Sequence, residues 1–420
     1  MKMRRITYRI YPNKTQSDKL HWARKMHGEL YNAAVANRRT QYKQFGHSVD
    51  YFEQQNCLPE FKKVWIEYAE LGSQTLQATL KRVDLAFQRF FKGLGKYPKF
   101  KAKRRYAGWT YPGKASWKVH SNGQNGHLEL RDLGVKLQIR GKARTWGTPT
   151  TCTICLRNGK WYASITVQCE PNRATNTGSI GIDLGCKEAI TLSTGEKIAK
   201  PSFIKEGQAK VKAASKRLRR KRAPNRNKKI KGSSRWKKER RRVSKLQSKV
   251  ARQREDWLHK TTSDIVGGNS LIAGEQLNVK GMTSKAKKGK RKKQKAGLNR
   301  SILDVGFATI GQLLDYKAAE AGGFYVESPT QKLKPTQRCV KCWELTPKTL
   351  ADRVHICANP DCNHVEDRDV NAAQVNETWA RGLERTSLDV ESPSATACGS
   401  MRQLGTLKRQ KQRLQRSKSL

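Results

Sequence analysis

Residues 179–184, Ser-Ile-Gly-Ile-Asp-Leu, set a carboxylate inside an apolar strand, and this constrains the chain more than any other feature. Ile180, Ile182 and Leu184 alternate with small or polar positions, the period of a half-buried strand. An ionised Asp183 left unpaired there costs several kcal/mol. The fold must therefore deliver it a partner from elsewhere in the chain.

The rest of the 420-residue chain is strongly basic. Its 87 Lys+Arg against 34 Asp+Glu give a formal charge of +53, which repels itself unless a polyanion neutralises it. Nucleic acid is the expected partner, because each phosphate contact releases condensed counterions. A membrane protein is excluded, since no run of 18 apolar residues occurs. The start, "MKMRRITYRIYP", lacks the continuous apolar region of a secretion signal, so a cytoplasmic, nucleoid-associated bacterial protein is expected. Six of the ten cysteines are scattered and four crowd into residues 339–362, which suits a reducing compartment with one metal site.

Along the chain, residues 2–11 read as a strand and 15–44 as a long helix. A second helix is clear in "SQTLQATLKRVDLAFQRFF". Leu76, Leu80, Val83, Phe87 and Phe90 recur at 4-3-4-3 spacing and form its core stripe, with Gln77, Lys81 and Gln88 on the adjoining polar stripe. A basic segment follows with Tyr97, Phe100, Tyr106 and Trp109, rings that suit either base stacking or loop packing. From 116 to 170 the period becomes two, which predicts a small antiparallel sheet or barrel that the N-terminal strand completes. Cys152 and Cys155 fall within a strand there; alternation sends them to opposite faces, so they read as core or surface cysteines, not ligands.

After Asp183 come two short strands and then a basic helical hairpin. Between 205 and 254, 23 residues are Lys or Arg, including Arg240, Arg241 and Arg242, against two acids. Val243, Leu246, Val250, Trp257 and Ile265 are expected to anchor its second arm, leaving the charge outward to track phosphates. A strand ending in Glu275, a disordered basic loop over 284–297, a helix over 299–321 and a strand "GFYVESP" lead to the cysteines and a final helix.

Cys339, Cys342, Cys357 and Cys362 read C-x2-C, fourteen residues, C-x4-C. Two such pairs can close a tetrahedral thiolate site around structural Zn²⁺, whose binding folds a segment too polar to fold by packing. The acids suggest different chemistry. Asp183 and Glu275 sit on strands, and Asp367 and Asp369 start a helix, where Asp367 also reads as an N-cap. Carboxylates gathered in so basic a protein suit two Mg²⁺ ions acting on a phosphodiester. A bound cation would make the placement of Asp183 favourable.

"GIDLG", "IAGEQLNVKGM", the four cysteines and "DRDVNAA", in that order, resemble the RuvC-type nuclease of TnpB, a family of transposon-encoded RNA-guided DNA endonucleases related to compact type V CRISPR effectors. "DWLHK", "LNRSILDVGFATI", "YRIYPNKTQ" and "SQTLQ…AFQRFFKG…YPKFK" match the same pattern, over roughly residues 3–380. The resemblance implies an α+β, α/β multidomain chain with five parts. These are a wedge-type β-barrel (1–12 and 111–172), a helical recognition insert (13–110), an RNase H-like nuclease domain (173–330 and 366–385), a zinc-ribbon insert (331–365) and a disordered basic tail (386–420). It assigns Mg²⁺ to Asp183, Glu275 and Asp369, choosing Asp369 over Asp367 because it lies two residues before the asparagine. It implies a guide RNA from the transposon end, a double-stranded DNA target read beside a short duplex motif, no membrane partner and a monomer per guide. Gln77 matches a position in the duplex-reading helix. A compact CRISPR effector using a CRISPR RNA is the close alternative. An RNase H-fold transposase or a zinc-ribbon RNA-binding protein would each explain only part of the motif set.

Overall fold

The computed structural model describes residues 2–170, 173–225, 227, 230–284, 292–349 and 351–382. The tail expected over 386–420 and residues 285–291 of the basic loop lie outside these. The chain divides into two compact units, Met1–Asn172 and Arg173–Leu420.

The first unit holds β1 (Lys2–Tyr11), α1 (Lys14–Phe45), α2 (Tyr51–Asn56), α3 (Leu58–Val64) and α4 (Ser73–Phe91). Then follow β2 (Gly108–Tyr111), β3 (Trp117–His120), β4 (Gly126–Leu130), β5 (Val135–Arg140), β6 (Thr148–Arg157) and β7 (Lys160–Cys169). The seven strands form one antiparallel sheet in the order β2-β6-β7-β1-β5-β4-β3. β1 lies at its centre, paired with β7 from Lys2 to Ile10 and with β5 from Arg9 to Tyr11. The N-terminal strand is thus completed by residues more than a hundred positions later, and α1–α4 are an excursion between β1 and β2. Val135, Leu137 and Ile139 alternate inward on β5, and Leu76, Leu80, Val83 and Phe87 bury one face of α4.

Two local readings change and one holds. Tyr106 and Trp109 are buried, so packing claims them and only Tyr97 and Phe100 stay exposed. Cys152 and Cys155 are both buried, which keeps the reading of them as core cysteines, and neither joins a metal-type cluster among the described residues. The sequence reading also missed α2 and α3. Their signal was short but present: Asp50 and Glu53 form a reciprocal capping box that starts α2.

The second unit begins with β8 (Gly178–Asp183), β9 (Glu188–Leu192), β10 (Lys197–Ala199), α5 (Ser202–Arg219) and α6 (Ser234–Gly268). It continues with β11 (Asn269–Glu275), α7 (Val279–Met282), α8 (Lys292–Val305), α9 (Phe307–Ala321) and β12 (Phe324–Ser328). It ends with α10 (Thr330–Leu333), β13 (Val354–Ile356), β14 (Val365–Asp367) and α11 (Arg368–Arg381). Its five-stranded sheet runs β10-β9-β8-β11-β12: the first three strands are antiparallel neighbours, while β8, β11 and β12 run parallel. β13 and β14 form a separate hairpin.

The helix expected over 299–321 is two helices, broken where Gly306 adopts a left-handed φ of 84°. α8 begins at Lys292, so residues 292–297 are helical, not loop. α5 and α6 pack as a hairpin; α6 buries Val243, Val250, Leu258 and Ile265, while Leu246 and Trp257 are only half-buried. Leu258 is the deeper of the two neighbours, and Trp257 packs half-buried against the same core. No described helix is long and apolar enough to cross a membrane.

Candidate active site and metal centre

Asp183 and Glu275 are the last residues of neighbouring parallel strands. The register pairs Ala273 with Gly181, so two residues on, Glu275 stands level with Asp183 on the same face. Asp369 arrives from the first turn of α11. That helix lies directly on β8: a Cβ at Gly181 would stand 1.8 Å from the Ala373 carbonyl oxygen. The glycine in "SIGIDLG" therefore lets the helix backbone come close enough for Asp369 to face Asp183. Farther along, Glu377 accepts hydrogen bonds from Ser179 Oγ at 2.6 Å and from Ser193 Oγ, and pairs with Arg381 at 2.6 Å. Nothing in the sequence reading pointed to Glu377.

The three acids share one electrostatic environment. Burial pushes the Asp183 carboxyl well above the usual range, and the charges of Glu275 and Asp369 push it further; the Arg368 guanidinium opposes them. Burial raises Glu275 to about 7. Arg368 donates to Asp369 Oδ1 through Nη2 at 2.8 Å and Nε at 3.0 Å. Three carboxyl groups facing one guanidinium, Asp183 buried and Glu275 and Asp369 half-buried, gather oxygen atoms of the kind a hard divalent cation takes.

Asp367 belongs elsewhere. It is the N-cap of α11, accepting from the Asp369 and Val370 amides at 3.0 and 3.2 Å, and it pairs with Lys197 at 2.6 Å. Those contacts hold its carboxyl below the usual range despite its burial.

The sulfurs of Cys339, Cys342, Cys357 and Cys362 all lie within 4.8 Å of one another. Cys339–Cys362 and Cys342–Cys357 are 3.7 and 3.4 Å apart. A tetrahedron with 2.3 Å zinc–sulfur bonds separates its sulfurs by about 3.8 Å, so the four thiols fit Zn²⁺ and close its coordination. Trp343, where a glycine turn would be usual, has a left-handed φ of 65°. Its ring is buried with Leu333, Val375 and Trp379, so packing onto α11 offsets the backbone strain. Asn371 extends this tie: its Nδ2 donates to the Arg338 carbonyl at 2.7 Å and its Oδ1 accepts from the Val340 amide at 3.2 Å. The cysteine module is thus fastened two residues from Asp369.

The remaining candidates belong to neither cluster. Gln77 is half-buried on α4. Lys81 is engaged by Asp84 at 3.0 Å and sits 4.5 Å over the Tyr51 ring. Arg240, Arg241 and Arg242 are exposed on α6, with Arg240 5.2 Å over Trp236 and Arg242 4.0 Å from Glu239.

Comparison with known proteins gives a consistent family. Residues 162–298 match the OrfB_IS605 family, described as "Probable transposase", and residues 307–375 match the Cas12f1-like TNB domain. A Streptomyces pristinaespiralis protein named "Putative RNA-guided DNA endonuclease" is 31% identical over 94% of this chain and 91% of its own. The Escherichia coli K12 protein "Putative RNA-guided DNA endonuclease InsQ" is 28% identical over 74% of this chain and 76% of its own. Among solved structures, the Cas12f1 chain of a complex with sgRNA and target DNA shares the fold with a TM-score of 0.57, covering 87% of this chain and 83% of that one at 12% identity. The chain belongs to the TnpB family of RNA-guided DNA endonucleases.

Proposed function

We propose that this protein uses a guide RNA from a transposon end to find double-stranded DNA, and cleaves it beside a short duplex motif with one RuvC-type, Mg²⁺-dependent site. The observation that carries the nuclease reading is the convergence of Asp183, Glu275 and Asp369 on one another, from two neighbouring strand ends and the first turn of α11. The mixed sheet of the second unit, with α11 laid across β8, is the RNase H-like scaffold of that site. Asp183, Glu275 and Asp369 would hold the Mg²⁺ ions, whose chemistry is to polarise the phosphodiester and supply hydroxide near neutral pH. The chain itself fixes the three carboxylates at the strand ends and helix start, desolvates Asp183 and Glu275 and holds Arg368 against Asp369. The four cysteines hold structural Zn²⁺.

In this reading residues 1–12 and 111–172 form the wedge, 13–110 the recognition insert, 173–330 with 366–385 the nuclease domain and 331–365 the zinc ribbon. Gln77 and Lys81 would face target duplex, and Arg240, Arg241 and Arg242 would track guide or heteroduplex phosphates. A bacterial protein that acts on DNA would be cytoplasmic and nucleoid-associated. The fold likeness to Cas12f1 favours one second reading, a compact CRISPR effector. Sequencing the RNA that copurifies separates the two, since it carries either a transposon end or a CRISPR repeat.

The direct test is Asp369→Ala in the guide-RNA complex. Cleavage should vanish while guide binding is kept, because losing a carboxylate cannot weaken affinity for a polyanion. Equal cleavage by variant and wild type would overturn the site.

A further inference from the structure

Asn376 lies on α11 seven residues after Asp369, two turns on and on the same face. It is fully buried, as is Ser328, the last residue of β12. Its Nδ2 donates to the Ile182 carbonyl at 3.2 Å, and its Oδ1 accepts from Ser328 Oγ at 2.7 Å. A backbone carbonyl can only accept, so the amide nitrogen must face Ile182 and the oxygen must face Ser328.

Each end of this bridge adjoins an acid. Ile182 is the residue before Asp183. Ser328 stands opposite Glu275 in the parallel pairing of β11 with β12, and its carbonyl accepts from the Gln276 amide at 3.0 Å. One side chain therefore ties the helix that bears Asp369 to the strand that bears Asp183 and to the residue paired with Glu275. Glu377 fastens the same helix only to β8 and the turn after β9. Aspartate in place of Asn376 would keep the acceptor and lose the donor, and leucine would lose both.

We propose that Asn376, acting with Ser328, is a positioning residue that sets the spacing of the three carboxylates, and so the affinity of the site for its divalent cations. This rests on the reading of Asp183, Glu275 and Asp369 as the cleavage centre. Cation affinity depends on donor spacing, and a displacement of about 1 Å at a reacting centre can cost on the order of 100-fold in rate.

The test uses the full chain with its guide RNA, in wild type, Asn376→Leu, Ser328→Ala and Asp369→Ala. Single-turnover cleavage is measured at saturating guide and target, at a temperature where thermal melts show each variant folded. Mn²⁺ binding to the same complexes is read by electron paramagnetic resonance, without any turnover. For Asn376→Leu the expected results are a rate about 100-fold lower, Mn²⁺ half-saturation raised about tenfold, and guide affinity within about twofold of wild type. Ser328→Ala should move both quantities the same way by less, and it decides the matter if Asn376→Leu does not fold. A lowered melting temperature with wild-type rate and wild-type Mn²⁺ binding would make Asn376 a merely structural pin and overturn the proposal. Asp369→Ala separates the two failures. If it cleaves normally, the cleavage centre is wrong; if it is dead while the bridge variants behave as wild type, only the positioning role falls.

Discussion

Asp84 and Asp183 are both buried, at 7% and 9% exposure, and almost everything else about them differs. Asp84, on α4, accepts from Arg38 at 3.3 Å, from Lys81 at 3.0 Å and from Gln88 at 2.7 Å. Arg38 in turn donates to Gln54 at 2.9 Å and lies 5.4 Å over the Phe87 ring. That carboxylate is surrounded by cations and amides, all from the first unit, although Arg38 Nη2 is left without a hydrogen-bond partner. Asp183 is surrounded by two more carboxylates and one guanidinium. A fold gains nothing from gathering like charges in low dielectric, which is why we propose the second arrangement as a site and read the first as structure. Burial alone does not identify a functional acid; the sign of its neighbours does.

The largest expected effect sets these two residues against each other. Asp183→Asn should bring target cleavage below detection, yet in magnesium-free buffer its urea midpoint should equal or exceed that of wild type, because the amide removes a carboxyl that burial and the two neighbouring acids make costly to ionise. Asp84→Ala should do the reverse. Leaving Arg38 buried without its carboxylate costs about 3 kcal/mol, while cleavage below the melting transition should stay close to wild type. A lower midpoint for Asp183→Asn would show that the three acids are satisfied without a metal, and the contrast would collapse.

The contrast also explains what the sequence could reveal. The cysteine module is local: its four ligands fall within residues 339–362, and their spacing announces a site before any fold is known. The acids span residues 183–369, and no spacing rule links them. Periodicity placed Asp183 on a strand and Glu275 at a strand end, and the basic composition suggested that they gather with Asp367 and Asp369, but only the family resemblance chose Asp369 over Asp367. The supporting groups were less legible still. Gly181, Asn376 and Glu377 act through contacts between residues nearly 200 positions apart, and such pairs leave no local pattern. Helix boundaries failed where one residue overrode a good apolar period, as Gly306 does between α8 and α9. The long strand-to-sheet pairing of β1 was legible because alternation persists over ten residues.

A buried base in the first unit sharpens the comparison at smaller amplitude. His27 is fully buried, stacked on Trp109 at 5.5 Å with its Nδ1 2.9 Å from Thr79 Oγ1. Burial, aided by the Arg82 charge, pushes its pKa down to about 3. The unfolded chain protonates this imidazole near pH 6.5, so between about 6.5 and 3 the unfolded state binds more protons. Its contribution is present above that window and is lost as pH falls through it, at up to about 1.4 kcal/mol per pH unit. From pH 7 to 5 the urea midpoint of wild type should fall by the equivalent of about 2 kcal/mol more than that of His27→Gln. Equal pH dependence in the two proteins would mean that the first unit tolerates an imidazolium in its core, and that the two units do not differ in how they treat buried charge.

The smallest effect is expected at Asp367, and it is the finest test of the rule. Asp367 and Asp369 are two residues apart and both adjoin α11, yet their neighbours differ as those of Asp84 and Asp183 do. Asp367 has two backbone amides and Lys197 in direct contact; Asp369 has the Asp183 carboxyl nearby and the Arg368 guanidinium in contact. Asp367→Ala removes an N-cap worth about 1 kcal/mol and a partly exposed ion pair worth at most about as much. Because Asp367 also holds the Asp369 amide, cleavage should slow by a few-fold but persist, and Asp367→Ser, which keeps a cap acceptor, should restore most of the rate. Single-turnover cleavage beside melting curves for the two variants and Asp369→Ala gives the answer. If Asp367→Ala is as inactive as Asp369→Ala while its melting curve is unchanged, an acid furnished with a cation and amide donors would be part of the cleavage centre. The sign of the neighbours would then no longer separate sites from structure.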